Sequence, residues 1–217
     1  MSDILKRFVW VSVYAVAMAF LEAVVVVYLR QLLHVGEVIV DMGPYAAIEA
    51  WRETATIVML AAVGWLAGRG KVDRIAYALF AFGLWDIWYY IWLKVLVNWP
   101  QTILDWDTLF LIPLPWRGPV LSPVLIAGLI CVVSVLVVVR VNKQDIPKIT
   151  FLQVVLVICG ALLALYVFME SAIHLWMRGK TDWSSIQNEV FDWPLFVIAF
   201  LLIAVPSLAA CWPKQRA

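Results

Sequence analysis

In the stretch EAWRETATIVML, residues 49 to 60, two carboxylates flank an arginine at the mouth of an apolar run. Helical spacing puts Glu49, Arg52, Glu53 and Thr56 at i, i+3, i+4 and i+7, on one face. Three more runs carry a comparable stripe. In FGLWDIWYYIWLK, Asp86, Tyr90 and Lys94 are successive i+4 neighbours. Tyr166, Glu170, His174 and Arg178 recur every four residues, and Glu22 and Arg30 stand eight apart.

Side chains of these types transfer protons, clamp anions or ligate metals. Glu53, Asp86 and Glu170 are the candidate acids, bases or catalytic ligands, with Arg52 and Lys94 as anion clamps. Tyr90, Tyr166, Glu22 and Arg30 would complete a ligand-binding wall. Glu170 and His174, one helical turn apart, form a two-ligand pair that Glu53 and Asp86 could extend from other helices. That mixture of carboxylate and imidazole suits zinc, iron or manganese better than copper(I), so a divalent transition metal is one possible cofactor.

Plainer readings fit the same residues. Arg52 between two glutamates is also what a buried ion-pair network locking helices together looks like. Arg30 and Glu49 could keep their heads in water, and His174 and Arg178, near a helix end, could snorkel. Lys94 fits an interfacial anchor as well as a site residue, and buried Tyr90 and Tyr166 fit satisfied core phenols. Asp86 and Glu22 are the hardest to explain this way, since both sit well inside apolar runs.

These groups need elements to hold them, and composition names the kind. Apolar residues make up 65% of the 217 and charged residues 14%, with a mean hydropathy of +0.94, whereas soluble domains are about half apolar and a quarter charged. Segments 8–33, 47–67, 75–98, 120–140, 150–177 and 194–212 are each near the roughly 20 helical residues that cross a bilayer core. The fold class expected is an all-α integral membrane bundle of six transmembrane helices in one domain. A net charge of +1 leaves no basic face for nucleic acid. The three cysteines, Cys131, Cys159 and Cys211, show no metal-pair spacing and read as small buried hydrophobes.

Basic residues give the orientation. Lys6 and Arg7 precede the first segment; Arg69, Lys71 and Arg74 fill the second-to-third loop; Arg140, Lys143 and Lys148 fill the fourth-to-fifth, and Lys214 and Arg216 the tail. The opposite loops hold Glu37, Asp41, Asp105, Asp107, Asp182, Glu189 and Asp192. By the positive-inside rule both termini are cytoplasmic, in a cell membrane that would be the inner membrane of a bacterium.

At about 1.5 Å of rise per residue from the basic ends, Asp86 comes roughly 18 Å in and Glu22 and Glu53 roughly 21–24 Å. The stripes of four helices therefore overlap in the outer half of the bilayer and would line one outward-facing polar pocket. Between the third and fourth segments, NWPQTILDWDTLFLIPLPWRGPVLSP is too apolar for a free loop. It reads as a lid with an interfacial or re-entrant piece around 103–112, then an extended PLPW turn, its Trp99, Trp106 and Trp116 suited to the interface. Trp85, Trp88 and Trp92, at i, i+3 and i+7, lie too deep to be only an interfacial belt.

An ionised side chain at a helix centre costs about 2.5–3.5 kcal/mol even on the mildest scale. Five acids (Glu22, Glu49, Glu53, Asp86, Glu170) face Arg30, Arg52 and Lys94, with Arg178 a fourth cation only if it folds inward. A proton, a metal ion or a cationic ligand would complete the balance. Three functions fit: a small membrane enzyme or ligand-binding protein, with or without a metal, acting on an amphipathic molecule from the outer leaflet; a non-catalytic subunit or assembly factor of a membrane complex; a proton-coupled transporter or channel. Its partners would be membrane lipid, an amphipathic small molecule or other membrane subunits. No GxSxG elbow, P-loop or paired haem histidines occur, so the reaction itself is not legible.

Overall fold

The computed structural model describes residues 2–32, 45–145, 147, 149–179 and 190–212. Glu37, Asp41, Lys148, Asp182, Glu189, Lys214 and Arg216, which entered the charge reading, lie outside the described residues.

Six helices follow in order, α1 (Asp3–Leu32), α2 (Ala46–Ala67), α3 (Lys71–Val97), α4 (Leu121–Asn142), α5 (Phe151–Met177) and α6 (Trp193–Cys211), with strands β1 (Trp106–Phe110) and β2 (Trp116–Pro119) between α3 and α4. All but α2 are long and apolar enough to cross a membrane. Glu49, Arg52 and Glu53 in its first two turns keep α2 below that mark. α1 and α3 begin four or five residues earlier than hydropathy suggests, because Lys6, Arg7, Lys71 and Arg74 continue the helices instead of preceding them.

Helix ends are closed by recognisable chemistry. Thr150 and Gln153 form a reciprocal capping box on α5. Asp192 accepts from the Leu195 N–H to start α6, just ahead of Pro194. Asn98, at φ 54°, ends α3 in the left-handed conformation. Arg7 and Arg140 donate to the last carbonyls of other helices, to Ala67 at 3.1 Å and Ala210 at 2.9 Å. With the Asp3–Arg69 and Arg7–Asp73 pairs, these contacts gather basic residues of α1, the α2–α3 loop and α3 at one end of the bundle.

α3 is the centre of the packing. It contacts α1, α2 and α4, while α5 packs on α6 and on β2, and α4 joins the two groups. On α1 the buried residues Val11, Ala15, Ala19 and Ala23 recur at four-residue intervals, a small-residue stripe that lets helix backbones approach closely. Gly64 does the same for α2: a Cβ there would fall 2.3 Å from the Ala78 nitrogen of α3.

Toward the basic end, Val11, Ala15, Ala19, Leu60, Ala76, Tyr77, Ala81 and Val138 form a continuous core. At the other end Ala23, Tyr89, Tyr90, Leu93, Trp99 and Val120 form a second. An aromatic third joins Val167 and Phe168 of α5 to Phe196 and Ala199 of α6.

The loop expected to be a re-entrant piece with a PLPW turn is an antiparallel hairpin, with a register shift between Thr108 and Phe110. One face carries Trp106 and Trp116 against the α5–α6 aromatics. Trp99 is buried under the Arg30 guanidinium, 4.3 Å from its ring centroid. Of the cysteines, Cys211 is buried, Cys131 is half-buried, and Cys159 is exposed on α5, contrary to the expectation of three buried hydrophobes.

Candidate functional site: an acidic pocket under the hairpin

α1 and α2 touch each other little, since each lies against α3. The cleft left between the C-terminal half of α1 and the N-terminal half of α2 is floored by α3 and covered by the hairpin. Its cavity of about 50 Å³ is lined by Glu22, Arg30, Glu49, Arg52, Glu53, Trp85, Asp86, Tyr89, Tyr90, Asp107 and Thr108, together with Val26, Leu109 and Leu111. Five carboxyls and two guanidiniums share that wall.

Arg52 spans the cleft. Its Nε donates to both Glu49 oxygens at 2.9 Å, and its Nη1 pairs with Glu22 of α1. Thr56 Oγ1 donates to the other Glu22 oxygen at 3.3 Å. Glu53, one residue beyond Arg52, turns to the hairpin: the Leu111 backbone N–H donates to its two oxygens at 3.1 and 3.2 Å. The stripe of α2 thus ties that helix to α1 on one side and to the roof on the other.

The second guanidinium serves the roof as well. Arg30 lies between the Trp99 ring and Asp107 of β1, with Nη2 3.9 Å from the carboxylate. Tyr89 and Tyr90 hydrogen-bond to Asp107, and the backbone N–H of Thr108 also supports it. Burial nevertheless dominates and pushes the Asp107 carboxyl up to about 6 from 3.8, against the pull of Arg30, Thr108 and the tyrosines.

Several polar atoms in this wall have no hydrogen-bond partner among the described residues: Asp86 Oδ2, Asp107 Oδ2, Thr108 Oγ1, Arg30 Nε and Trp85 Nε1. Buried polar groups are nearly always satisfied, by protein, water or ligand. Unpartnered acceptors and donors around one cavity make a space suited to a polar guest.

Of the residues singled out by type and spacing, Glu22, Arg30, Glu49, Arg52, Glu53, Asp86 and Tyr90 come together here. The fifth-helix stripe does not. Tyr166 and His174 are exposed, Glu170 is half-buried, and none of the three lines the cavity, because α5 packs on α6 and β2. The shared interior is therefore formed by three helices and a hairpin, not by four helices. Glu53, Asp86, Glu170 and His174 do not converge, and among the described residues no three His, Cys, Asp or Glu side chains are grouped to hold a metal ion.

Lys94 stands outside the wall and donates to the Asn98 and Pro100 carbonyls at 3.4 and 2.8 Å, closing the start of the hairpin loop. Of the deep tryptophans, Trp85 lines the cavity. Trp92 donates to the Val16 carbonyl at 3.0 Å and packs on Trp88, a helix-packing role.

Asp107 is the cavity-lining acid that sequence reasoning missed. Counted among outer-loop acids, it is folded inward by the hairpin. The available signal was alternation: in WDTLF, Trp106 must face one way and Asp107 the other. No family model matches the chain, no curated protein matches it, and no solved structure matches it.

Proposed function

We propose that this chain is a six-span membrane protein, both termini cytoplasmic, whose pocket takes in the polar end of an amphipathic molecule from the outer leaflet. In a bacterium the membrane would be the inner one. α2 counts as the sixth span because its charges are enclosed by α1, α3 and the hairpin, leaving its apolar remainder to lipid. The basic cluster at the opposite end supports the orientation.

The observation that carries this reading is the pair of unpartnered carboxylate oxygens on Asp86 and Asp107 in a cavity whose two guanidiniums each already pair with another carboxylate oxygen. A fully enclosed ion-pair lock needs no spare acceptors. A cavity near 50 Å³ admits a few heavy atoms, far less than the roughly 300–1,000 Å³ of a site that swallows a drug-sized ligand. The tail of the guest would stay in lipid, with its head entering sideways between α1 and α2, where Arg52 is 22% exposed. If the protein is an enzyme, Asp86 and Asp107 are its acid–base pair. Glu53, held by Leu111, positions the roof.

A second reading, a non-catalytic brace within a membrane complex, is favoured by Arg52 and Glu53, which tie three elements together. Transport has less support, since the packed core of Ala15, Ala19, Leu60, Tyr77 and Ala81 lies between the pocket and the basic end.

Native mass spectrometry of the protein extracted from its own membrane tests the proposal. A retained amphiphile, lost in Asp86→Asn, is the expected result. A bare protein whose mass and stability are indifferent to Asp86→Asn would favour the brace.

A further inference from the structure

The pocket is more specific than a generic acidic cleft. Its unpartnered atoms fall into two sets. Asp86 Oδ2, Asp107 Oδ2 and Thr108 Oγ1 can each accept a hydrogen bond; Trp85 Nε1 and Arg30 Nε can only donate. Asp107 is 3% exposed and Trp85 5%, so neither finds its missing partner in bulk solvent. A bare metal ion would serve the acceptors and leave the donors bare. An anion would serve the donors and meet five carboxyls.

An alkylammonium group has three N–H donors, matching the three open acceptors in number. An oxygen close to it on the same molecule would accept from Trp85 or Arg30. The positive charge answers a wall where carboxyls outnumber guanidiniums five to two. The aromatic rings of Trp85, Tyr89 and Tyr90 line the same space, and aromatic surroundings suit a cation as well. Size discriminates further: about 50 Å³ fits a primary ammonium and its first carbons, whereas a trimethylammonium would fill the space and offer no N–H to the open oxygens.

We propose that the cavity between α1, α2, α3 and the hairpin is a binding site for a primary ammonium bearing a neighbouring oxygen acceptor, the chemistry of an amino alcohol, with Asp86, Asp107 and Thr108 as its acceptors. This rests on the reading of the pocket as a head-group site and names the head group's class. The amino alcohol can be free in solution or the end of a lipid.

The test is calorimetric titration of 2-aminoethanol into the full-length protein in nanodiscs of phosphatidylglycerol, with choline and ethylene glycol as comparison ligands. Saturable binding of 2-aminoethanol, at least tenfold tighter than either comparison ligand and at least tenfold weaker in Asp86→Asn and Asp107→Asn, is expected. No saturable heat, or equal affinity for choline or ethylene glycol, overturns the assignment, and the wild-type comparison stands even if a variant fails to fold. Wild-type affinity in both variants overturns it too. Repeating the titration in phosphatidylethanolamine nanodiscs separates the sources: weakened apparent affinity identifies a lipid head group, unchanged affinity a soluble amine. Binding of 2-aminoethanol without any retained amphiphile would sink the amphiphile reading and leave this site standing; a retained anionic amphiphile without amine binding would do the reverse.

Discussion

Replacing Arg52 by methionine tests whether the cleft is held by charge. The arginine faces two buried carboxylates, Glu22 and Glu49, and its removal leaves Glu22 only the Thr56 hydroxyl and Glu49 neither of its 2.9 Å contacts. Breaking a buried ion pair costs about 3–5 kcal/mol, most of it the uncompensated charge left behind. Arg52 is 22% exposed, and water there screens part of the interaction, so the lower end, about 3 kcal/mol, is the expectation. For a chain of this length each kcal/mol moves the melting temperature by about 2–4 °C, which gives a fall of about 6–12 °C. Thermal unfolding in one fixed detergent, followed by tryptophan fluorescence, reads it. The triple variant Glu22→Gln, Glu49→Gln, Arg52→Met removes the stranded charges with the cation and should recover at least half of the loss. A single variant melting within about 2 °C of the wild type, or a triple variant as unstable as the single one, would refute the claim that charge compensation holds α2 to α1.

The other expectations concern the roof, the helix contacts and the residues left out of the pocket. Glu53→Ala deprives the Leu111 N–H of a charged acceptor worth about 1.5–3 kcal/mol, so hydrogen exchange at Leu111 should quicken by about tenfold or more, and Glu53→Gln should do so less; unchanged exchange would remove the anchor. Gly64→Ala pushes a Cβ against the Ala78 backbone and should cost about 1–3 kcal/mol in the same melting assay, while Gly70→Ala, with nothing within 4 Å, should be nearly silent. For Asp107 the folded value of about 6 lies above the unfolded 3.8, so the folded chain holds that proton more tightly; stability from this group is greatest below about pH 4 and falls as pH rises through about 6, by about 3 kcal/mol in all. Asp107→Asn should flatten that part of the pH–stability curve, and an unaltered slope would contradict the burial argument. Glu170→Gln and His174→Ala, on the far side of the hairpin, should leave 2-aminoethanol affinity within about twofold, and a large loss in either would return α5 to the site.

Local rules carried a good part of this molecule. The spans were legible because about 20 apolar residues have few other uses, and the stripe on α2 because i, i+3, i+4 spacing fixes a face whatever lies opposite. Arg52, Glu53 and Asp86 were found by such spacing and Glu22 by its place inside an apolar run, and all line the cavity. The fifth-helix stripe follows the same rule, yet Tyr166 and His174 are exposed. Periodicity states which residues share a face and is silent on which neighbour that face meets. Helix order is a long-range property, decided here by close contacts such as Gly64 on Ala78. Asp107 illustrates the complementary failure. An acidic loop residue reads as solvated by type, and only the pairing of Trp106–Phe110 with Trp116–Pro119 folds it inward.

The hairpin is where fold and site depend on one another. On one face Trp106 and Trp116 pack with Phe168, Phe191 and Phe196, joining the roof to α5 and α6. On the other, Asp107 meets Arg30 and the tyrosines, and the Leu111 N–H meets Glu53. The α5–α6 pair therefore contributes to the pocket without lending it a polar residue, by holding the roof from outside. That division explains why the charges are confined to α1, α2, α3 and β1. It also gives the inward contacts a separate part: Asp107 and Glu53 tie the roof to the cavity wall, while the aromatic face holds it from outside. A guest that adds hydrogen bonds to the open oxygens of Asp86 on α3 and Asp107 on the hairpin bridges floor and roof, so occupancy of the cavity and closure of the hairpin are coupled. Hydrogen exchange at Leu111 should accordingly slow when 2-aminoethanol is bound, and a rate indifferent to the amine at saturation would separate the two.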